Sequence, residues 1–264
     1  MATISSRDNP LLRQARSVRN GKIADLIFVE GLRLAEEALH SGLEIEAVIY
    51  SDEIAEKERA DRFLEAVALV CNRMATVSEK LLATVSYTKT PQGIVLLAKQ
   101  PKSGKAKFEM SERRTPLVVI LHGINNPVNV GAIMRSAEAA GATGVITTAN
   151  TADPFSPKSL RGAMGSSFRL PIWTGAGYDD ALSWSAGHNI KTVCADVKAG
   201  TLYTDIDWTI ARALIVGPES TGLSLEEVAA ADEAVRIGMH GEIESLNVGV
   251  AAAILLYEAA RQRR

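Results

Sequence analysis

Two α/β domains are predicted, and three features of the chain predict them. A polar, basic segment with proline near each end, residues 99–116, separates two stretches that both mix apolar runs with amphipathic ones. The longer, C-terminal stretch alternates strand and helix patterns repeatedly, as a parallel sheet covered on both faces does. Its first run, Leu117 to Leu121, is continuously apolar, which suits a central parallel strand. The expected division is a small α/β domain over residues 1–98, a linker over 99–116 and a parallel-sheet domain over 117–264.

In the first domain, Asn9-Pro10 opens a helix carrying Arg13, Arg16 and Arg19. Their spacing of three sets the arginines along one side of the helix, drifting slowly around it. Leu26 to Glu30 reads as a strand, followed by a helix from about Leu32 to His40 that stops at Gly42. Ile45 to Tyr50 reads as a second strand, a charged helix runs from about Ile54 to Leu69, and Gly93 to Ala98 closes the domain as a buried strand. In the second domain Val130, Ile133, Met134 and Ala137 follow at helical spacing, and Gly141 ends that helix. Further strands are expected at 144–147, 190–195, 213–216 and 234–237, with a long helix from about Ser245 to the C-terminus.

Composition narrows the class. A hydrophobic fraction of 47% and a charged fraction of 23% belong to a globular chain with material for a core. The formal net charge is −2, so nucleic acid, if bound, is held by local patches and not by a global field. Cys71 and Cys194 form no C-x-x-C pair, which argues against a disulfide framework or thiolate zinc site and for a reducing cytoplasm. The first residues lack the apolar run of a secretory signal, and no membrane span is expected. His40, His122, His188 and His240 are scattered, so no metal site is predicted. Glycine-rich dinucleotide and phosphate loops, the nucleophile elbow and H-E-x-x-H are all missing.

Three segments stand out instead, because each follows a strand and mixes glycine with uncharged hydrogen-bonding residues. The first runs from Asn125 through Pro127, Asn129 and Gly131 to Arg135, with Asn129 the expected N-cap of its helix. Arg135 falls off the apolar stripe and faces a pocket or solvent. In the second, the 213–216 strand ends in Gly217-Pro218-Glu219-Ser220-Thr221-Gly222, and Ser224 with Glu227 has the spacing of a capping box. The third runs from Ile237 through Met239 and Gly241 to Ser245-Leu246-Asn247, with Ser245 read as an N-cap and Asn247 in the first turn of the last helix.

In order, these segments read N-x-G-x-x-x-R, then G-x-E-x-x-G-L, then G-x-x-x-S-L-N. That order resembles the three motifs of the SpoU (TrmH-like) family of SPOUT RNA methyltransferases. The matching residues are Asn129, Gly131 and Arg135; Gly217, Glu219 and Gly222; and Gly241, Ser245, Leu246 and Asn247. The stretch from Pro157 through Lys158 and Arg161 to Gly165 resembles the loop the family carries between its first two motifs. Residues 4–98 resemble, more loosely, the substrate-binding domain of ribosomal RNA members. One departure is Gly238, where the family usually has proline, leaving a less rigid loop.

The resemblance implies a trefoil-knotted second domain that binds S-adenosyl-L-methionine and methylates a ribose 2′-hydroxyl in RNA, ribosomal RNA being favoured over transfer RNA. Backbone groups of Gly217, Ile237 and Leu246 would take the cofactor, with Val216 and Met239 adding apolar contact and Asn247 lying beside it. Asn129 and Asn247 would orient neutral groups, and Glu219 and Ser245 would hold Arg135 or the motif loops. Arg135 would act with the cofactor site of a second subunit, which implies a homodimer, and Ala251, Ala252, Ala253 and Ala259 would permit close helix packing. Arginine's very high solution pKa favours a positional role for Arg135, with general base as the other account. Arg13, Arg16 and Arg19, with Arg7 and Lys22, form either an RNA-contacting face or a solvated one; the linker adds Lys99, Lys102, Lys105, Lys107, Arg113 and Arg114. Two other readings stay open: a transfer RNA methyltransferase acting on ribose or base, and a non-catalytic RNA-binding module.

Overall fold

The computed structural model describes residues 2–108, 115–241 and 243–264. Residues up to Pro101, together with Phe155–Arg169, form one compact unit, and Lys102–Pro154 with Leu170–Arg264 form a second.

The first unit begins with β1 (Ala2–Ile4), α1 (Pro10–Arg19), β2 (Leu26–Glu30), α2 (Leu32–His40) and β3 (Ile45–Ser51). It continues with α3 (Asp52–Ala55), α4 (Glu58–Ala68), β4 (Met74–Val77), α5 (Glu79–Ala83) and β5 (Ile94–Lys99). Asn9 caps α1 by accepting from the Leu11 amide at 2.9 Å, and Pro10 sits in the first turn, where its missing donor costs nothing. Leu11, Leu12, Ala15 and Val18 of α1 pack into the core formed with Phe28, Ile49 and Leu97. The described strands join in the order β1-β4-β3-β5-β2, parallel from β1 to β3 and antiparallel through β5 to β2. The one charged helix expected from Ile54 to Leu69 is two helices, because Ser51 caps α3 through the Ile54 amide and the chain restarts at Lys57. Strands β1 and β4 carry no long apolar run; their pairing with each other and with β3 makes them strands.

The second unit opens with β6 (Leu117–Leu121), α6 (Pro127–Ala139) and β7 (Gly144–Thr148). The chain then contributes α7 (Pro157–Ala163) and α8 (Ser166–Arg169) to the first unit. Next follow β8 (Ile172–Ala176), α9 (Tyr178–Gly187), β9 (Lys191–Ala195), β10 (Thr201–Leu202) and β11 (Arg212–Val216). The unit closes with α10 (Leu225–Ala230), β12 (Glu233–Arg236) and α11 (Val248–Gln262). Every described strand pair is parallel, in the order β10-β12-β9-β11-β6-β7-β8. β6 and β11 are buried along their whole length, as the apolar runs Leu117–Leu121 and Ala213–Val216 require.

The observed division differs from the expected one in two places. Residues 155–169 join the first unit although they lie far beyond the 99–116 segment. That segment is also more than a tether: the Gly104 amide donates to the Ile172 carbonyl at 3.1 Å, Lys105 stacks over the Trp173 ring, and the Phe108 ring lies edge-on to Trp184. An apolar side chain in a polar stretch is what anchors it. Arg113, Arg114 and the Lys107 side chain lie outside the described residues. Among the described residues no helix is long and apolar enough to cross a membrane, and no three His, Cys, Asp or Glu side chains converge as a metal site.

Candidate functional site

Three loops at the C-terminal ends of β9, β11 and β12 enclose a cleft of about 350 Å³ in the second unit. Ligands of open parallel sheets bind at this end, where helix starts and loop amides face the crevice. Val216, Gly217, Ile237, Met239 and Leu246 all line it, together with Glu219 and Ser245. A Cβ added at Gly217 would stand 2.7 Å from Leu223 Cγ and 3.1 Å from the Leu223 amide nitrogen, so glycine is required for the loop to fold back this closely.

Two helix starts deliver the polar residues beside this cleft. α6 begins one turn earlier than expected: Asn126, not Asn129, is its N-cap, accepting from Val128 at 3.0 Å with Pro127 in the first turn. Asn129 is thereby free to turn its side chain inward, and it is buried. Its Nδ2 donates to Glu219 Oε1 at 2.7 Å, and its Oδ1 accepts from Asn247 Nδ2 at 3.4 Å. α11 starts later than expected, at Val248. Asn247, not Ser245, is its N-cap, accepting from the Gly249 and Val250 amides at 3.0 and 3.3 Å. Asn129 therefore joins all three sequence segments in one hydrogen-bonded chain. Asn247 itself is not among the residues lining the cleft.

Arg135 projects from α6 exposed, away from the lining of the cleft and without a hydrogen bond or ion pair among the described residues. Glu219 thus holds a motif loop through Asn129 and does not hold Arg135, while Ser245 is exposed at the cleft. The three α1 arginines do not act alike. Arg16 donates to the Arg7 carbonyl at 2.9 Å, and Arg19 donates to the Val85 and Ser86 carbonyls at 3.2 and 2.9 Å. Only Arg13 of the three is exposed.

Sequence reasoning missed a brace between the end of β6 and α10. His122, just after β6, pairs through Nε2 with Glu227 Oε1 at 2.9 Å and packs its ring 4.6 Å from that of Tyr178. Glu227 completes the expected capping box, accepting from the Ser224 amide at 2.7 Å while its own amide donates to Ser224 Oγ at 3.2 Å. The Ser224 amide and His122 hold the Glu227 carboxyl below the ordinary carboxylate range. The capping box was legible; its partner His122 was not, because 105 residues separate the pair.

Gly238, between the lining residues Ile237 and Met239, has room for a side chain that Gly217 lacks. A Cβ there would meet only Leu202 Cδ2, at an ordinary 3.7 Å.

Comparison with known proteins meets this geometry from the other side. Residues 116–257 match the SpoU rRNA Methylase family, and residues 9–96 match the MRM3-like substrate binding domain. Over 262 residues the chain is 29% identical to the 23S rRNA (guanosine(2553)-2′-O)-methyltransferase RlmP of Bacillus subtilis, spanning 93% of this chain and 98% of that one. It is 30% identical over 241 residues to a 23S rRNA (uridine(2479)-2′-O)-methyltransferase of Streptomyces viridochromogenes, covering 89% of this chain and 83% of the relative. The crystal structure of an AdoMet-bound rRNA methyltransferase from Sinorhizobium meliloti superposes with a TM-score of 0.85 at 28% identity, over 98% of this chain and 97% of that one.

Proposed function

The chain belongs to the SpoU rRNA Methylase family, and from that premise we propose that it methylates a ribose 2′-hydroxyl of large-subunit ribosomal RNA with S-adenosyl-L-methionine. The observation that carries the reading is the meeting of all three motif segments at one place, Glu219 to Asn129 to Asn247, beside a glycine-lined cleft. The cleft fits the cofactor: its volume is in the range of small-molecule sites, and its walls offer apolar side chains and loop amides.

S-adenosyl-L-methionine supplies an activated methyl group when bound. The protein's share is then to position the ribose hydroxyl and ease its deprotonation. Val216, Ile237, Met239 and Leu246 give the cleft its apolar contact, and Gly217 lets backbone approach closely. Asn129, fixed at both ends of its amide, holds the first motif against the second. Arg135 offers five donors and no acceptor, so it fixes an RNA phosphate and polarises the hydroxyl. Glu219 keeps the loop after β11 in register through Asn129, and Ser245 lines the cleft.

The same proposal includes a homodimer in which Arg135 serves the partner's cleft. It is supported by the absence of Arg135 from its own cleft lining and by exposed Val128, Val250 and Tyr257 on α6 and α11. It also includes the trefoil knot, supported by the loop after β11 and the segment before α11 lining one cleft. A reducing cytoplasmic setting agrees with Cys71 and Cys194, both free and buried.

The test is transfer of tritiated methyl from S-adenosyl-L-methionine to an unmodified 23S rRNA transcript, followed by mass spectrometry of the digest. Label on a ribose is expected. Label on a base, or on transfer RNA alone, overturns the assignment. Mixing Arg135→Ala chains with cleft-filling Met239→Trp chains should restore part of the activity; no restoration counts against the shared site.

A further inference from the structure

The first unit contains a second cavity, of about 440 Å³, that no step of methyl transfer uses. Arg33, Arg59 and Arg161 line it, with Glu30, Gly31 and Gln92. Arg33 comes from the first turn of α2 and Arg161 from α7, so residues 128 positions apart in the chain meet within one compact unit.

The charge balance of this cavity is unequal. Glu30 is buried and both its carboxylate oxygens are engaged: it accepts from the Tyr87 and Thr88 amides at 2.8 and 3.1 Å and from the Thr88 hydroxyl at 2.6 Å. Arg59 is committed to Glu36 through two parallel bonds, at 2.8 and 2.5 Å. Arg33 and Arg161 are exposed, and neither has a hydrogen bond or ion pair among the described residues. Two unspent guanidiniums thus face a cavity whose one carboxylate is engaged by other donors and pairs with neither of them. Gly31 has φ +99°, and the α2 start it forms carries no side-chain cap, which adds unclaimed backbone amides of the same sign.

We propose that this cavity is a phosphate-binding subsite for the RNA substrate, with Arg33 and Arg161 as its two ligands. A planar fork of donors matches two phosphate oxygens, which explains arginine at both positions. A polymer phosphate fits better than a free anion because both guanidiniums are exposed and the cavity is larger than one phosphate. Its lining has no aromatic ring on which a base could stack. The subsite therefore holds backbone and does not read sequence. It rests on the reading of the chain as an RNA methyltransferase.

The experiment measures binding of an unmethylated 23S rRNA transcript to the full chain across a range of salt. Its variants are Arg33→Gln with Arg161→Gln, the same pair changed to lysine, and the pair Lys57→Gln with Lys80→Gln, both exposed, as a control of equal charge change. The double arginine-to-glutamine variant is expected to bind more weakly and to lose about 0.7–0.9 of salt slope per lost contact. Lysines should restore the slope but not the full affinity, and Lys57→Gln with Lys80→Gln should leave both near wild type. Cofactor affinity by calorimetry should be the same in all. A slope in the double arginine-to-glutamine variant equal to that of wild type overturns the subsite, as does an equal loss with Lys57→Gln and Lys80→Gln together. Inorganic phosphate that protects the cavity without competing with RNA also overturns it, in favour of a free-anion site. Methyl transfer by the wild type is scored separately. If no transfer occurs while the slope still falls, the assigned reaction fails and the subsite stands.

Discussion

Asn129→Ala separates what holds the fold from what holds the catalytic geometry. The substitution deletes the 2.7 Å bond to Glu219 and the 3.4 Å contact with Asn247. A hydrogen bond to a charged group is worth about 1.5–3 kcal/mol when its loss strands a buried partner. Glu219 is exposed, so water takes over the freed acceptor and the net cost falls to about 1 kcal/mol. Asn247 keeps both capping bonds, and its contact with Asn129 is already near the limit of hydrogen-bond length. Thermal unfolding should therefore drop by only about 2–4 °C. Methyl transfer should suffer much more, by about 100-fold, because a misplacement of about 1 Å at a positioned reaction costs that much. The assay is a double-mutant cycle of Asn129→Ala and Glu219→Ala, reading both unfolding and single-turnover transfer to 23S rRNA. Each single variant should lose most of the rate, and the double variant little more, since both break one tether. Additive losses, or a stability cost above about 3 kcal/mol with the rate of the folded fraction unchanged, would refute the tether and leave Asn129 a packing residue.

Arg135→Ala should abolish methyl transfer while calorimetry finds cofactor affinity nearly unchanged, since Arg135 does not line the cleft. Gly217→Ala should weaken cofactor binding by about tenfold or more, because overpacking against Leu223 costs about 1–3 kcal/mol. Gly238→Ala, with room for its Cβ, should leave binding equal or tighter and raise stability by about 0.4–1 kcal/mol. Thr192 donates from its hydroxyl and its amide to Asp232, each at 2.7 Å, and holds that carboxyl below its ordinary 3.8. This stability is present above pH 3.8 and is lost as pH falls through the lower folded value; because Asp232 is exposed and solvent screens it, denaturation should find Thr192→Val weaker by less than about 1 kcal/mol at neutral pH and the gap closing in acid. Arg13→Gln should lower the salt slope of RNA binding by about 0.7–0.9, whereas Arg19→Gln should lower the melting temperature, because Arg19 serves backbone carbonyls.

Local chemistry made much of the molecule legible before any coordinates. A strand such as Leu117–Leu121 announces itself because burial on both faces demands an unbroken apolar run. The α1 start and the Ser224–Glu227 capping box are readable because their partners lie within three residues. The second and third motifs marked the cleft's loops, and Gly217, Glu219, Gly222, Ser245 and Leu246 line it, whereas Asn129, Arg135 and Asn247 do not.

What the sequence left open depends on partners far away along the chain. Asn126 and Asn129 are the same residue type three positions apart, and only the placement of Pro127 in the first turn decides which caps α6 and which reaches Glu219, 90 residues on. Arg16 and Arg19 share a helix side with Arg13, yet carbonyls of Arg7, Val85 and Ser86 claim them and leave Arg13 to solvent. His122 and Glu227 meet only because β6 and β11 pair in parallel, and Arg33 finds Arg161 only because residues 155–169 fold into the first unit. Spacing along a chain sets which side chains share an element's face; the pairing and packing of those elements set which charges and amides have already been satisfied, and so which remain for a substrate.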